Sequence, residues 1–410
     1  MNGQRVVITG TGIWSCLGRD LAEVADALRK GRSGIVFDQE RKDMGFRSAL
    51  TGHVPMPELK DRLNRRQRIG MAQQVHYAYE ATEQAMRQAG IDTAWCERNE
   101  TGIIFGNDSS ALAVMESVDT IRAKKDTTLL GSGAIFQGMN CTVTMNLSTV
   151  FKLKGINFTI SGACASGSHA IGIGYLLIKQ GLQERVICGG AQEVNPFAFG
   201  SFDGISAFST RESDPAGASR PFDKDRDGLV PSGGAATLVI ESLESARARG
   251  ATILAEITGY GFSSNGAHIS DPDLDGQVRA LNMALRMAGI PAERVDYINA
   301  HATGTPIGDR IEAQALHTVF GQRRPFVSST KSMTGHECWM AGASEVVYSL
   351  LMLQNDFMAP NLNLQAPDAD SAKLNLLRET RNEKFDTFLS NSFGFGGTNS
   401  TLIIQRFQDK

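Results

Sequence analysis

The sequence predicts an α/β protein made of two similar halves, each with a βαβαβαβ-like plan. Three observations carry this. Short apolar runs rich in Val and Ile alternate with amphipathic helical stretches along the whole chain. Glycine supplies 43 of the 410 residues, much of it in short clusters between apolar runs, where tight turns are needed. The strand–helix alternation restarts near residue 255 and repeats the same plan without obvious sequence identity. Such alternation favours a sheet sandwiched between helices.

In order, Arg5–Gly12 reads as a buried strand and Leu21–Lys30 as an amphipathic helix stopped by Gly31. Met71–Gln88 reads as a longer helix closed by Gly90. Strands are expected at Thr101–Phe105 and Ile156–Ile160, then a helix from Cys164 to about Gln180, then strands at Arg185–Cys188 and Ala235–Ile240. Arg211–Asp227 reads as a long ordered loop. A helix over Ser242–Arg249 leads to a seam, so the halves are 1–255 and 256–410. The second half gives strands at Glu256–Tyr260, Tyr297–Asn299, Phe326–Ser329, Phe388–Ser390 and Thr401–Gln405. Its helices fall at Gly276–Ala288, Asp309–Phe320 and Gly342–Leu353.

Composition is that of an ordinary globular enzyme, with 41% hydrophobic and 21% charged residues. The formal net charge of −3 gives no reason to expect nucleic acid or a membrane as partner. The opening MNGQRVVITG lacks the pattern of a secretory leader, and no apolar run approaches the ~20 residues of a membrane span. The six cysteines are scattered with no CxxC pair, which argues against a disulfide framework or a metal site and predicts a reducing, cytoplasmic setting.

Four segments carry chemistry. Ile160–Gly167 (ISGACASG) places Cys164 among small residues where a strand turns into a helix. Small neighbours let the side chain stand clear of the backbone, and a helix start favours thiolate. A buried structural cysteine is the alternative. Asn299–Asp309 (NAHATGTPIGD) delivers His301, Thr303 and Thr305 from a strand into a loop. Ser329–His336 (STKSMTGH) sets Lys331 and His336 after another strand, with Glu345 in the next helix. Ser390–Asn399 (SNSFGFGGTN) puts Phe393 and Phe395 among glycines, which suggests a gate over a pocket.

Together these segments resemble the β-ketoacyl-acyl-carrier-protein synthases of the thiolase superfamily. The ordered set is highly specific, and the resemblance covers essentially the whole chain. RSGIVF, KDMGFRS and RPFDKDRDG further resemble the synthase I branch. The resemblance implies a thiolase-like α-β-α-β-α sandwich, a homodimer (or a heterodimer with a related subunit), acyl carrier protein as partner, and no metal or bound cofactor. It implies that Cys164 carries the acyl group, that His301 and His336 face the malonyl thioester, and that Lys331 with Glu345 sets the local field. The N–H groups of Cys164 and Phe395 would form an oxyanion hole, Thr303 and Thr305 would hold the pantetheine arm, and Phe393 would gate beside Phe202 at the pocket wall.

An acidic carrier calls for a basic docking patch. Arg62, Arg65, Arg66 and Arg68, with Lys124 and Lys125, are the candidates. Two stretches depart from the family's small-residue pattern. Glu337, Cys338, Trp339 and Met340 follow TGH, and Asp108 stands in GNDSS, where it is expected at the acyl pocket. Asn195, Pro196, Phe197 and Phe199 are expected near the same wall. These predict an acyl specificity reshaped toward polar or flat conjugated chains. A non-catalytic partner subunit would lack Cys164, and thiolases fit the third and fourth segments less well. DPDLDG (Asp271–Gly276) matches half a calcium loop, but Asp275 capping the next helix is the better reading. Gly10 and Gly12 lack the third glycine of a dinucleotide turn.

Overall fold

The computed structural model describes residues 3–321 and 325–409. Met1 and Asn2, the start of the segment read above for a leader, lie outside them. Thirteen strands are described, eleven of them in one ladder. In chain order they are β1 (Val6–Ser15), β2 (Ile35–Phe37), β3 (Leu50–Gly52), β4 (Gly102–Gly106), β5 (Asn157–Ile160), β6 (Arg185–Gln192), β7 (Gly234–Ser242), β8 (Ala255–Ser264), β9 (Tyr297–Asn299), β10 (Phe326–Ser328), β11 (Asn375–Leu376), β12 (Thr387–Gly394) and β13 (Thr398–Gln405). Strands β2 and β3 form a separate antiparallel pair.

The ladder shows an internal duplication. One side runs β1-β7-β6-β4-β5 and the other β8-β13-β12-β9-β10, with β11 added at the far edge. Pairings match position by position: the first two in each run are antiparallel and the next two parallel. The halves join where Val6 to Ile8 of β1 pair with Ala255 to Ile257 of β8.

Two helices run through the middle, Ser166–Lys179 and Ala341–Gln354. The second buries every residue from Ala341 to Leu353, as expected of a helix that is apolar all round. They share one core with strand residues of both halves, Val186 and Ile240 on one side, Phe388 and Leu402 on the other. They cross closely. A side chain on Gly342 would place its Cβ 2.5 Å from the Ser168 backbone nitrogen, a contact no rotamer change can relieve. On the outer face of the first half, the helix Gln73–Ala89 packs on β1, and a Cβ on Gly12 would lie 1.9 Å from the Ala81 carbonyl oxygen. In the second half, Gly261 of β8 meets the Ala280 carbonyl oxygen of the helix Leu274–Ala288 at the same distance. The G-x-G within the first strand therefore serves helix–sheet packing and recurs in the duplicate. Helices thus lie outside, between and outside the two halves of the ladder, the layered sandwich expected.

Element ends differ from expectation, most often by longer strands. The helix Leu21–Lys30 falls on its predicted span, capped by Asp20 and stopped by Gly31 at φ +61°. Most strands run longer than read, because hydrogen-bonded pairing carries them into glycine and polar stretches that have no apolar pattern. The cap of Leu274–Ala288 is Asp273, which accepts from Gly276 N–H at 2.7 Å, while Asp275 pairs with Arg279 at 2.7 Å one turn on. Among the described residues, no helix is long and apolar enough to cross a membrane.

Candidate active site

Cys164 sits four residues past β5, in a single 3₁₀ turn, Ala163–Ala165, that runs into the helix Ser166–Lys179. The residue before it, Ala163, has φ +46°, a left-handed conformation that strains an alanine. Ser166 holds the turn: its hydroxyl accepts from Gly162 N–H at 2.9 Å and donates to the Ala163 carbonyl at 2.7 Å. The sulfur faces a cleft of about 680 Å³ that also exposes His301, His336, Thr303, Phe393 and Phe395. His336 Nε2 lies 3.0 Å from Cys164 Sγ. Burial pushes the thiol up to about 11, against the opposing pull of the Lys331 charge and the Phe395 and Cys164 N–H groups. The two N–H groups implied as an oxyanion hole thus both act on the sulfur.

His301 follows β9 by two residues and His336 follows the short helix Lys331–Thr334 after β10. Their rings meet edge to face, 5.4 Å between centroids. Burial, and then the Lys331 charge, holds both well below the ordinary imidazole range, so both stay neutral at physiological pH. Lys331 is 1% exposed and donates to Glu345. Burial lifts Glu345 to about 8, and Lys331 opposes the rise.

Thr303 donates to Thr305 at 3.1 Å on the cleft wall. Phe202 also lines the cleft and lies 6.1 Å from Phe395 and 6.3 Å from Phe208, the rings within 20° of parallel. The Gly/Phe segment is less of a loop than expected. Phe393 belongs to β12, paired with Asn399, and only Phe395–Gly397 form a turn, with Gly396 and Gly397 at positive φ. Gly394 packs on the elbow; a Cβ there would lie 3.1 Å from Cys164 N.

The departures from the family pattern form one connected structure. Asp108, expected at the acyl pocket, is not among the residues that line this cleft. Its Oδ2 instead accepts from Ala163 N–H at 2.9 Å, so its carboxylate serves the elbow backbone. Trp339 is half-buried against the cluster of Phe199, Phe208, Leu229 and Cys338, and its indole N–H donates to Ser109 Oγ at 3.2 Å. Glu337 is buried, accepting from Tyr348 OH at 2.7 Å and from Ser344, and burial raises it to about 7. Asn195 caps a helix at Pro196–Gly204 that carries Phe199 inward and Phe197 outward.

Sequence reasoning missed the residues that hold the histidine loop. Glu312 accepts from the His301 and Ala302 N–H groups at 2.9 and 2.7 Å, and from Asn391 at 3.0 Å. Asp309 accepts from Gly304 N–H at 3.1 Å and Phe222 N–H at 2.9 Å. The available signal was two acids three apart on the buried face of the helix Pro306–Phe320, beside Ala313 and Leu316. Of the basic candidates, Arg62 is tied to Glu80 and Glu83 and Arg68 to the Leu63 carbonyl. Arg65, Arg66, Lys124 and Lys125 are exposed.

A duplicated sheet with a thiol at the crossing of its two central helices defines a thiolase-type condensing enzyme. The sequence agrees: residues 3–246 match the β-ketoacyl synthase N-terminal domain and 254–365 the C-terminal domain. The chain belongs to the β-ketoacyl synthase family. It is 41% identical to 3-oxoacyl-[acyl-carrier-protein] synthase 1 of Escherichia coli, over 99% of this chain and 100% of that protein. It is 37% identical to 3-oxoacyl-[acyl-carrier-protein] synthase 2 of Coxiella burnetii over the full length of both. A crystal structure of a β-ketoacyl synthase from Burkholderia phymatum superposes with a TM-score of 0.94 at 36% identity, covering 99% and 100% of the two chains. A ketosynthase solved with its type II polyketide acyl-carrier protein gives 0.89 at 28%, with the same coverage.

Proposed function

We infer that the protein is a 3-oxoacyl-acyl-carrier-protein synthase, which extends a carrier-bound acyl chain by two carbons with loss of carbon dioxide. The 3.0 Å approach of His336 Nε2 to Cys164 Sγ, in a cleft shared with His301, carries this reading. A thiol held up near 11 must lose its proton as it attacks. His336 is the acceptor at hand. The sulfur adds to the acyl thioester, the carrier's sulfur leaves with that proton, and the acyl group stays on Cys164. Malonyl-carrier protein then enters. Its carboxylate departs as carbon dioxide, and negative charge collects on the thioester oxygen, where neutral His301 can donate an N–H bond, joined by His336 in the tautomer that carries its proton on Nε2. The enolate carbon attacks the Cys164 thioester. The resulting oxyanion faces the Cys164 and Phe395 N–H groups, and collapse releases the 3-oxoacyl product and a thiolate that takes a proton from water.

This reaction needs no metal or organic cofactor. Acyl carrier protein as partner is supported by the names of the relatives and by the carrier-bound neighbour. The halves at 1–255 and 256–410 are supported by the repeated strand order. A second copy of the chain fits the exposed edge strand β5, which presents Phe158 at 53% exposure. A reducing cytoplasm fits six free cysteines. A specialised acyl chain, in fatty acid or related polyene or polyketide synthesis, is favoured by the Phe202–Phe208–Phe395 stack beside Trp339. The test is acyl loading of Cys164→Ala, followed by intact mass. The variant should fold, take no acyl group and make no product; elongation at a comparable rate would overturn the assignment.

A further inference from the structure

The segment after β4, Asn107–Ser110, is anchored at every residue. Asn107 donates to the Asn140 carbonyl at 2.7 Å, and Asn140 returns a bond to the Asp108 carbonyl at 3.0 Å. Ser109 accepts from Trp339 at 3.2 Å, and Ser110 from Gln74 at 2.8 Å. So held, Asp108 meets the one strained non-glycine residue next to the nucleophile, bonding Ala163 N–H at 2.9 Å. The duplication gives the placement a reason. Asp108 lies two residues past β4, as His301 lies two past β9, and the two strands hold equivalent places in their half-ladders. Each half thus delivers a polar side chain to the same level of the site, one to the malonyl thioester and one to the elbow.

We propose that Asp108 is a positioning residue for the nucleophile: its carboxylate fixes the backbone of Ala163 and sets a negative charge beside the turn that carries Cys164. The proposal rests on Cys164 being the acyl carrier. Asp108 is not a lining residue of the cleft, and it acts through Ala163 and through the field at the sulfur. The other titratable groups facing that sulfur are His336 at 3.0 Å, with Lys331, His301 and Cys338 around it. Lys331 favours thiolate and Asp108 opposes it. The carboxylate is itself raised by burial and lowered by the Ala163 bond, so it is costly to keep where it is unless it serves the turn.

The experiment separates the two roles. Cys164 alkylation by iodoacetamide is followed at pH 8 by mass spectrometry of its own peptide, because Cys141 is exposed and will also react. Asp108→Asn keeps an acceptor for Ala163 and removes the charge. It should alkylate faster, by roughly threefold for each unit the thiol falls, since part of the tenfold gain in thiolate is offset by weaker nucleophilicity. Asp108→Gly removes both anchor and charge. Its rate of acyl transfer to Cys164 should fall roughly tenfold from loss of the strained turn, and Asp108→Asn should recover most of that loss. Alkylation of Asp108→Asn at the wild-type rate, or acyl transfer in Asp108→Gly as fast as in the wild type, would overturn the proposal. So would an asparagine variant no better than glycine. If glycine prevents folding, the asparagine alkylation rate alone decides. Alkylation needs no carrier substrate, so a failure of the wild type to load acyl groups would count against the assigned activity and leave this result intact.

Discussion

Replacing Lys331 by Met tests how the site tolerates its buried charges. Lys331 is the basic side chain among three buried carboxyls, Glu345, Glu312 and Glu337, and burial is the largest influence on each. Removing one member of a buried ion pair typically costs about 3–5 kcal/mol. Unfolding entropy of about 2.1 cal/mol/K per residue, over 410 residues, comes to about 0.9 kcal/mol/K. The melting temperature should therefore fall by about 3–6 °C. The pH dependence is more diagnostic. Glu345 is raised to about 8 in the fold, from about 4.3 when unfolded. A carboxyl with a raised folded value binds more protons folded than unfolded, so it favours the fold at low pH and loses that contribution as pH rises through 8. Lys331 pulls Glu345 down; without it the loss continues above pH 8, by up to about 1.4 kcal/mol for each further pH unit. Glu312 and Glu337, each near 7 and each eased by Lys331, move the same way. Scanning calorimetry from pH 6.5 to 9 should show a deficit that widens with pH by about 1.5 °C or more between 8 and 9. Parallel curves for variant and wild type would refute the argument that Lys331 restrains these carboxyls.

Four further outcomes are expected. His301→Ala should cut carbon dioxide release by about 10²–10³ and affect acyl transfer to Cys164 far less, while His336→Ala should impair both because it touches the sulfur; equal losses for His301→Ala in labelled transfer and decarboxylation would refute its role. Since both rings are held neutral, decarboxylation should show no fall with a midpoint near pH 6.5, and a pH profile with such a limb would count against this. Arg65→Glu with Arg66→Glu should raise KM for carrier-bound substrate, in a salt-dependent way, and spare short pantetheine thioesters; the same change for both would remove the docking role. Trp339→Gly should loosen Ser109 and the aromatic wall and shift preference among saturated, unsaturated and aromatic acyl-carrier substrates; an unchanged profile would make Trp339 structural filling.

The reactive residues were legible because each lies just past a strand, in a short motif of unusual composition. Cys164, His301, Lys331 and His336 meet in one cleft or around it, as their motifs implied. What the sequence concealed is non-local. The helix Ala111–Lys124 buries none of its residues and has no cap side chain of its own. Its first N–H groups are bonded instead by Glu193, some eighty positions away, so no local pattern marked it. By contrast, the helix at Pro196 carried a readable signal, an Asn cap followed by Pro at the first helical position. Asp108 was read from its chemistry alone, as a charge near an acyl tail. Its partner is a backbone N–H brought to it by β4–β5 pairing, which composition cannot show.

The duplication also accounts for how one site draws on both halves. Cys164 follows β5, and Lys331 and His336 follow β10, strands that occupy matching positions at the ends of their runs. Each strand leads through a turn into one of the two central helices, and those helices cross where Gly342 meets Ser168. The crossing therefore sets the distance between the thiol of one half and the histidine of the other. A nucleophile turn needs small residues and strain; a histidine–lysine turn needs buried acids to balance its charge. Neither half could hold both in one loop. Splitting them between equivalent loops lets Ala163 and Gly162 shape the first, while the buried Glu345, Glu312 and Glu337 surround the charge of the second. Asp108 is the exception, an acid on the nucleophile's side, and it reaches the elbow from the strand position that supplies His301 in the other half.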